Sequence, residues 1–525
     1  MQKITVLDTT LRDGAQAEGI SFSLEDKLSI ISALDALGVD LIEAGNPAAN
    51  PKDAALFARL RDGAPPKRAR IVAFGATRRA GMACADDPGL QALCDCGVRA
   101  ASIFGKSWDF HAAQVLRVSL DENLAMIGES IAFLASRGLT VYFDAEHFFD
   151  GYAANPRYAL ATLQAAKAAG AAAVILCDTN GGSLPTAVAQ ITAQVAAEMG
   201  GLPVGIHAHN DGGMAAANTL LAVEAGATHV QGTINGLGER CGNANLCTVL
   251  PGLRFKMGLD CLMQDAFSAL SDTARYISEM CNVALDERSP YVGYSAFAHK
   301  GGMHIDGVLK NRASFEHMDP ALVGNQRRLL LSEMSGRATL LTRLAAIAPD
   351  LAPDAPQVAE LIAALKQKEA QGYRYEDAEG SFSLLALELL GRRPRFFEVG
   401  DFHVITQQPW NGQSAQAYIK VTVEGRQEIT AAEGDGPVAA LDGALRKALC
   451  VFYPQLARMR LVDFKVRVLD SLGTCSTTRV QMTSTDGQRV WGTVGVSPNI
   501  IEASWRALTD AIDFFLACRE EEQPH

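Results

Sequence analysis

The 525-residue sequence lacks any uninterrupted apolar run long enough to cross a bilayer. A membrane-spanning helix needs about 20 such residues. The first ten residues, MQKITVLDTT, enter a β-type apolar run at once and show no signal-peptide pattern. We therefore expect a cytoplasmic protein with no membrane partner.

The sequence also has no excess of positive charge, since 47 basic residues stand against 59 acidic ones and the net charge is −12. Its basic residues form nothing longer than short pairs such as Arg327 and Arg328. Nucleic-acid binding depends on clustered Lys and Arg that neutralise phosphates. We therefore expect no nucleic-acid partner.

The eleven cysteines show no framework spacing, and their number is odd. This pattern is typical of reduced thiols in the cytosol rather than disulfides. Cys94 and Cys96 in ALCDCGV offer half of a metal site, but no second pair stands at ligand spacing. The sequence therefore favours the interpretation that they are small buried thiols.

What the sequence does contain is eight short apolar runs that alternate with amphipathic segments as far as residue 257. In SLEDKLSIISALDALG, apolar residues recur at helical spacing between a Ser23–Asp26 capping box and a stop at Gly38. The eight runs are ITVLD (4–8), LIEAG (41–45), IVAFG (71–75), RAASIFG (99–105), TVYFDAE (140–146), AAVILCDT (172–179), PVGIHAHN (203–210) and HVQGTIN (229–235).

Continuously apolar strands, each followed by a helix, indicate a parallel sheet whose outer face is covered. Eight such units in about 255 residues match a (β/α)8 TIM barrel. A doubly wound sheet is the alternative, but it would use fewer units and a glycine-rich turn after its first strand. DTTLRDGAQ lacks that turn, so the sequence predicts an α/β fold with a (β/α)8 barrel.

The pattern changes twice along the chain, which is too long for one ordinary core. Residues 1–260 are the predicted catalytic barrel, and residues 261–392 are a helical linker region. Residues 393–525 alternate strands such as AQAYIKVTVEG with two helical stretches, each after a glycine-containing turn. This repeat predicts a separate C-terminal α+β domain built from a duplicated unit.

Polar residues collect at the carboxyl ends of the predicted strands, where TIM barrels place their active sites. His207 and His209 in GIHAHN are two apart on a strand, so they face the same side. Two imidazoles with a carboxylate bind a divalent cation, and Asp13 is the natural third ligand. Two interior histidines satisfied by hydrogen bonds are the alternative. An amide oxygen from Asn243 as fourth ligand favours Mg²⁺ or Mn²⁺, although Zn²⁺ also accepts such a set.

Arg12 and Glu146 are the other charged candidates at these strand ends. The planar guanidinium of Arg12 suits a substrate carboxylate or keto oxygen, with a surface ion pair to Asp13 as the alternative. Aromatic neighbours in YFDAEHFF would desolvate Glu146 and favour a general base, with a solvated strand-end acid as the alternative.

Together these residues resemble the DRE-TIM metallolyases, and within them the Claisen-condensing acyltransferases that include 2-isopropylmalate, homocitrate and citramalate synthases. The resemblance covers nearly the whole chain, and EGISFSLEDKL, NPKD, AFGATRRAG and DAEHFFDGY look most like the citramalate branch. Further matching motifs are LDTTLRDGAQ, CDTNGG, GIHAHNDGGMAAANT, GLGERCGNANL and GGMHIDGVLKN.

The resemblance implies an acyltransferase that adds acetyl-CoA to pyruvate and hydrolyses the thioester, giving (R)-citramalate and CoA in isoleucine biosynthesis. The first alternative is 2-isopropylmalate synthesis from 2-oxoisovalerate, in leucine biosynthesis. A lyase of the same superfamily and a catalytically decayed amino-acid sensor are the others. The C-terminal domain resembles the LeuA-type feedback domain, which implies isoleucine as effector and a homodimer.

By motif, the resemblance also implies roles for single residues. Asp13, His207 and His209 would hold the cation, with Asn243 beside it or coordinating it. Arg12 would stabilise the charge at the keto oxygen, and Thr179 would donate a hydrogen bond to the 2-oxo acid carboxylate. Glu146 would act in acid–base catalysis, together with His304 from a partner subunit. Gln16 and Tyr142 would contact the substrate.

The sequence departs from the family pattern at two positions. After the second strand it reads AGNP, with Asn46 where the citramalate branch carries a bulky Trp. In KNRASFEH, Phe315 stands where a Tyr is expected, which removes a hydroxyl. The first departure bears on the acceptor, and the second on the proton path.

Overall fold

The computed structural model describes residues 2–63, 65–330, 337–406, 415–471 and 473–520. The chain divides into two compact units. The barrel unit is Met1–Phe297 with Met318–Arg327, and the second unit is Ala298–His317 with Arg328–His525. The boundaries at residues 260 and 392 that the sequence suggests stay a prediction.

Eight parallel strands close into a barrel in sequence order, with β1 paired to both β2 and β8. The predicted (β/α)8 fold is therefore confirmed. The strands are β1 (Thr5–Asp8), β2 (Leu41–Gly45), β3 (Arg70–Ala76), β4 (Ala100–Lys106), β5 (Thr140–Glu146), β6 (Ala173–Asp178), β7 (Val204–Ala208) and β8 (His229–Gly232).

Helices follow the strands, as the sequence periodicity predicts. The first helix begins at the Ser23–Asp26 capping box and ends at Gly38, whose φ of +86° suits a residue without a Cβ. The helices of the barrel unit are α1 (Leu24–Leu37), α2 (Pro51–Asp62), α3 (Pro88–Asp95), α4 (Leu120–Ser136), α5 (Phe148–Ala154), α6 (Pro156–Ala168), α7 (Pro185–Met199), α8 (Ala215–Glu224), α9 (Leu246–Pro251) and α10 (Leu270–Met280).

The barrel interior changes from apolar to polar along the strands. Leu7, Leu41, Val72, Ala100 and Tyr142 belong to one buried apolar cluster. Two residues further along their strands, where the side chain returns to the same face, stand polar groups that are also buried. These include Glu43 on β2, Ser102 on β4 and Asp144 on β5.

The second unit starts with two short parallel strands, β9 (Ala298–His299) and β10 (Arg328–Leu329). Its first helices have a buried apolar contact cluster that includes Leu340, Val358 and Phe382. These helices are α11 (Gly302–Lys310), α12 (Arg337–Ile347), α13 (Pro356–Ala370) and α14 (Glu379–Leu389).

Two three-stranded antiparallel sheets follow, and a helix comes after each of them along the chain. This order matches the duplicated unit that the sequence predicts. In β12 the burial alternates strictly, as expected for a sheet covered on one face. The elements are β11 (Glu398–Thr406), β12 (Ala415–Val423), β13 (Arg426–Gly434) and α15 (Pro437–Leu449), then β14 (Arg460–Val468), β15 (Thr478–Thr485), β16 (Val490–Ser497) and α16 (Ile500–Glu520).

Two findings bear on the sequence-based expectations about membranes and cysteines. Among the described residues, no helix combines the length and the apolar character that a membrane span requires. All eleven cysteines are free thiols.

Candidate active site at the mouth of the barrel

A cavity of about 240 Å³ lies at the carboxyl ends of the barrel strands. Most of the predicted site residues line it, namely Arg12, Asp13, Gln16, Glu146, Thr179, His207 and His209. The other residues of its wall are Phe74, Phe104, Asp144, Cys177, Glu239 and Arg240.

Asp13, His207 and His209 form a compact buried group in this cavity. One ligand atom from each lies within 4.8 Å of the others, and it is the one such group among the described residues. His207 lies on β7 and His209 just after it, so strand alternation turns both rings to the same side. Asp13 reaches them from the turn after β1, with Oδ2 3.2 Å from His207 Nε2.

The electrostatics of this group favour cation ligands. Burial alone would raise the pKa of Asp13, but the positive charge of Arg12, the largest opposing effect, helps to hold that pKa below its ordinary value. Burial, together with the neighbouring His207, lowers the pKa of His209 to about 4. A charged carboxylate and a neutral imidazole both offer lone pairs to a metal.

Two buried oxygen atoms near this group have no hydrogen-bond partner among the described residues. They are Asp13 Oδ2 and Asn243 Oδ1. Asn243 forms a β-bridge with His209 through its backbone, and its side-chain amide nitrogen donates to the Leu237 carbonyl. The side-chain amide oxygen is the atom without a partner among the described residues. Unsatisfied buried oxygens are unfavourable, so this donor set fits a divalent cation, the group that the sequence predicts.

Arg12 is held rigidly at the edge of the cavity. Its Nε lies 2.5 Å from Glu43 Oε2, its Nη1 lies 2.8 Å from Asp13 Oδ1, and its guanidinium stacks 3.9 Å from the ring of Phe74. Burial raises the pKa of Glu43 to about 8 despite the opposing effect of Arg12. The Nη2 group has no hydrogen-bond partner among the described residues and is left for a ligand.

Glu146 has a charged neighbour that the sequence does not predict, in a cavity that Phe74 and Phe104 also line. Its carboxylate contacts the ammonium of Lys106, and the two residues are register partners on β4 and β5. The Glu146 side chain is 23% exposed. The strand pairing, which the sequence does not specify, brings this cation to its side, and the role of Glu146 as a general base stays a prediction.

Thr179 and Gln16 line the cavity as predicted, whereas Tyr142 does not. Thr179 Oγ1 accepts a hydrogen bond from the backbone N–H of His147, so its own hydroxyl proton is available to a ligand. Tyr142 lies lower in the barrel, within the apolar cluster and 5.3 Å from the ring of His229. Alternation along β5 places it two positions below the polar layer, so its position does not support the predicted substrate contact.

His304 and Phe315 belong to the second unit and stack on each other, with ring centroids 4.2 Å apart. This contact uses the faces of both rings and needs no hydroxyl on position 315.

Asn46 accepts a hydrogen bond from the Ala48 backbone N–H. It also lines a second cavity, of about 590 Å³, whose wall shares Arg12 with the first cavity. Its side chain therefore shapes the turn after β2.

Sequence reasoning missed four polar residues that support the site, namely Glu43, Ser102, Lys106 and Gln231. Glu43 interrupts the otherwise apolar strand β2, Gln231 follows Val230 in β8, and each is fully buried. A buried charge or amide in a barrel strand needs a partner, so these interruptions were a usable signal. The identity of each partner depends on strand register, which the sequence does not show.

Family models match three consecutive regions of the chain. The HMGL-like model matches residues 3–276, and the homocitrate synthase post-HMGL domain-like model matches residues 291–372. The LeuA allosteric (dimerisation) domain model matches residues 377–516. The first match spans the barrel strands and the site described above.

Curated relatives match over nearly the full length. The (R)-citramalate synthase of Synechocystis sp. is 51% identical over 97% of this chain and 95% of its own. That of Aquifex aeolicus is 46% identical over 99% of both chains. Among solved structures, hydroxymethylglutaryl-CoA lyase from Pseudomonas aeruginosa is 20% identical, covers 54% of this chain and 95% of its own, and superposes with a TM-score of 0.47. On the full-length matches, the chain belongs to the (R)-citramalate synthase family.

Proposed function

We propose that this protein condenses acetyl-CoA with pyruvate in a Claisen-type reaction and hydrolyses the thioester to give (R)-citramalate and CoA. Membership of the (R)-citramalate synthase family supports the product. The observation that carries the chemistry is the buried Asp13, His207 and His209 group with Arg12 beside it at the barrel mouth.

In this proposal Asp13, His207 and His209 hold a divalent cation, and Asn243 supplies its otherwise unsatisfied amide oxygen. A bound cation supplies Lewis-acid polarisation of the acceptor carbonyl. Oxygen and imidazole ligands together suit Mg²⁺, Mn²⁺ or Zn²⁺.

Arg12 and Thr179 orient the 2-oxo acid. The free Nη2 of Arg12 donates to the keto oxygen, where negative charge develops during attack, and the contacts with Glu43 and Asp13 hold the guanidinium in place beforehand. Preorganised donors of this kind stabilise the transition state because they need no reorientation. The Thr179 hydroxyl donates to the substrate carboxylate.

Glu146 takes a proton from the methyl group of acetyl-CoA, and the resulting carbon nucleophile forms the new bond to the keto carbon of pyruvate. The keto oxygen then gains a proton, and water cleaves the thioester to release the CoA thiol. Lys106 balances the charge of Glu146 and holds its carboxylate. We assign the return of protons to His304 of a partner subunit, as the motif resemblance implies; this imidazole is exposed on α11.

We expect CoA release to depend strongly on the acceptor. Purified protein with Mg²⁺ or Mn²⁺, acetyl-CoA and a panel of 2-oxo acids should liberate free thiol fastest with pyruvate, measured by a thiol-reactive dye, with (R)-citramalate identified by chiral chromatography. If no 2-oxo acid in the panel raises thiol release above the rate without an acceptor, the condensation is refuted. A strong preference for 2-oxoisovalerate would assign 2-isopropylmalate synthesis instead.

Removing a cation ligand should abolish turnover and cation binding together. We expect Asp13→Asn and His209→Ala to lower the activity by at least about 10²-fold, because the remaining ligands no longer complete the site. Calorimetric titration with Mn²⁺ measures the binding. The control is His403→Ala, an exposed histidine of the second unit, and unchanged Mn²⁺ binding in both ligand variants would remove this site from the proposal.

Replacing the base should slow proton removal. We expect Glu146→Gln to lower kcat by about 10² to 10⁴-fold, the usual contribution of general acid–base catalysis. Exchange of acetyl-CoA methyl protons with D₂O, followed by mass spectrometry with a non-reacting pyruvate analogue present, should be lost as well. Glu129→Gln on α4, a surface carboxylate, is the control. Exchange at the original rate in Glu146→Gln would assign the base elsewhere.

We further propose that the second unit forms a homodimer through β14. Phe464 and Val466 stand opposite the buried Met482 and Val480, on the face of the sheet that packs against helices. Yet the row of alternate apolar side chains on this edge strand is exposed. The exposed fraction is 59% for Val462 and 60% for Val468. An edge of this kind is a pairing surface.

Introducing charge into this row should separate the copies. We expect Val462→Lys with Val466→Lys to shift the mass in solution from dimer to monomer, measured by light scattering after size exclusion. Lys465 lies on the opposite face of the same strand, so the control variant Lys465→Gln should leave the dimer intact. A dimer that persists in the double variant would place the interface elsewhere.

The match to an allosteric domain supports an amino-acid effector in the second unit. We propose isoleucine, the end product of the pathway that the resemblance implies. Isoleucine added to the thiol-release assay should inhibit, whereas an equal concentration of leucine should not, and the reverse result would point to the leucine pathway.

A further inference from the structure

A chain of buried polar side chains runs across the barrel interior behind His207. It consists of Ser102 on β4, Asp144 on β5 and Gln231 on β8, and each of the three is at most 4% exposed. None of these residues was among the predicted ligands, and β8 is far from β4 and β5 in the sequence. The chain ends on His207, which is itself 6% exposed.

The hydrogen bonds of this chain have a definite direction. Gln231 Nε2 donates to Asp144 Oδ1 at 2.9 Å, and Ser102 donates to Asp144 Oδ2 at 2.5 Å. The amide of Gln231 is thereby oriented with Oε1 toward His207 Nδ1, at 2.8 Å. An amide oxygen only accepts, so Nδ1 of His207 carries the proton and donates it.

This direction fixes the tautomer of His207. With the proton on Nδ1, the lone pair lies on Nε2, the atom that faces Asp13 Oδ2 at 3.2 Å. His209 has a different surrounding, because its Nδ1 lies 3.0 Å from the Arg240 guanidinium, which is a donor. Of the two histidines, His207 is therefore the one that this chain prepares as a ligand.

We infer that Gln231 is a positioning residue of the cation site, which presents the Nε2 lone pair of His207 and is itself held by Asp144 and Ser102. The inference rests on the proposed function, because it assumes that Asp13, His207 and His209 hold a cation. Polar partners behind metal-bound histidines set the ring orientation and the basicity of the ligand.

The surrounding charges explain why an amide stands at this position. Asp13, Glu43 and Asp144 already place three buried carboxyl groups in the upper barrel. Asp144 and Asp13 each raise the pKa of Glu43, so carboxyl groups here disfavour one another's charge. A glutamine accepts from His207 without adding a fourth acidic group, whereas a glutamate would face Asp144 directly.

The test compares Mn²⁺ affinity in the original full-length protein and in purified variants of it by calorimetric titration. Gln231→Leu removes the acceptor and should weaken binding about 10 to 100-fold, the usual effect of losing such a partner. Gln231→Glu alone should destabilise the fold, seen as a lower melting temperature without metal. Gln231→Glu combined with Asp144→Asn reverses the donor and acceptor between the two positions, and should restore affinity to within a few-fold of the original protein.

His229→Leu is the matched control, because His229 is a buried inward residue of the same strand whose Nε2 has no partner among the described residues. It should leave Mn²⁺ affinity unchanged. If Gln231→Leu folds and binds Mn²⁺ as tightly as the original protein, the inference is overturned. It is also overturned if the double variant folds but stays as weak as Gln231→Leu, since His207 Nδ1 would then not be a donor.

A failure of the proposed function gives a different result. The original protein should bind Mn²⁺ at a site that Asp13→Asn loses. If the original protein and Asp13→Asn bind alike, the cation site itself is wrong, whatever position 231 does. Retained binding in the original protein with no effect at position 231 overturns the positioning role alone.

Discussion

The buried carboxylate of Asp13 is the interaction on which the barrel mouth depends. One of its oxygens pairs with the Arg12 guanidinium, and the other faces His207 Nε2. An isolated carboxylate in this dry position would be unfavourable, and removal of one member of such a group leaves a buried charge unpaired. The contact with Arg12 satisfies one oxygen of this carboxylate, and the other is left facing the Nε2 lone pair of His207, which is the arrangement that a cation between them would satisfy.

That requirement extends outward through a second set of contacts. Glu43 holds Arg12 from β2, and Gln231 holds His207 from β8. These residues occupy inward positions above the apolar cluster, where a barrel usually packs branched aliphatic side chains. The upper half of the barrel thus has a charged, hydrogen-bonded interior in place of apolar packing. Preorganised catalysis requires an arrangement of this kind.

Local patterns were enough to predict much of this. Apolar runs of strand length separated by amphipathic segments predict eight strand–helix units, and spacing by two places His207 and His209 on one side of a strand. The same alternation also contained the information that Tyr142 lies below the polar layer, two residues before Asp144. Motif resemblance suggested a substrate contact there, and the position of Tyr142 within the apolar cluster does not support it.

The sequence by itself determined the order of elements, the family and the residues most directly concerned with a cation, because these depend on periodicity and on contiguous motifs. Only the tertiary structure decided which side chains meet across strands. Lys106 contacts Glu146 because β4 and β5 pair in that register, and Gln231 reaches both His207 and Asp144 because barrel closure brings β5, β7 and β8 around one interior. Register and closure arise from the packing of the whole chain, so no local stretch of sequence contains them.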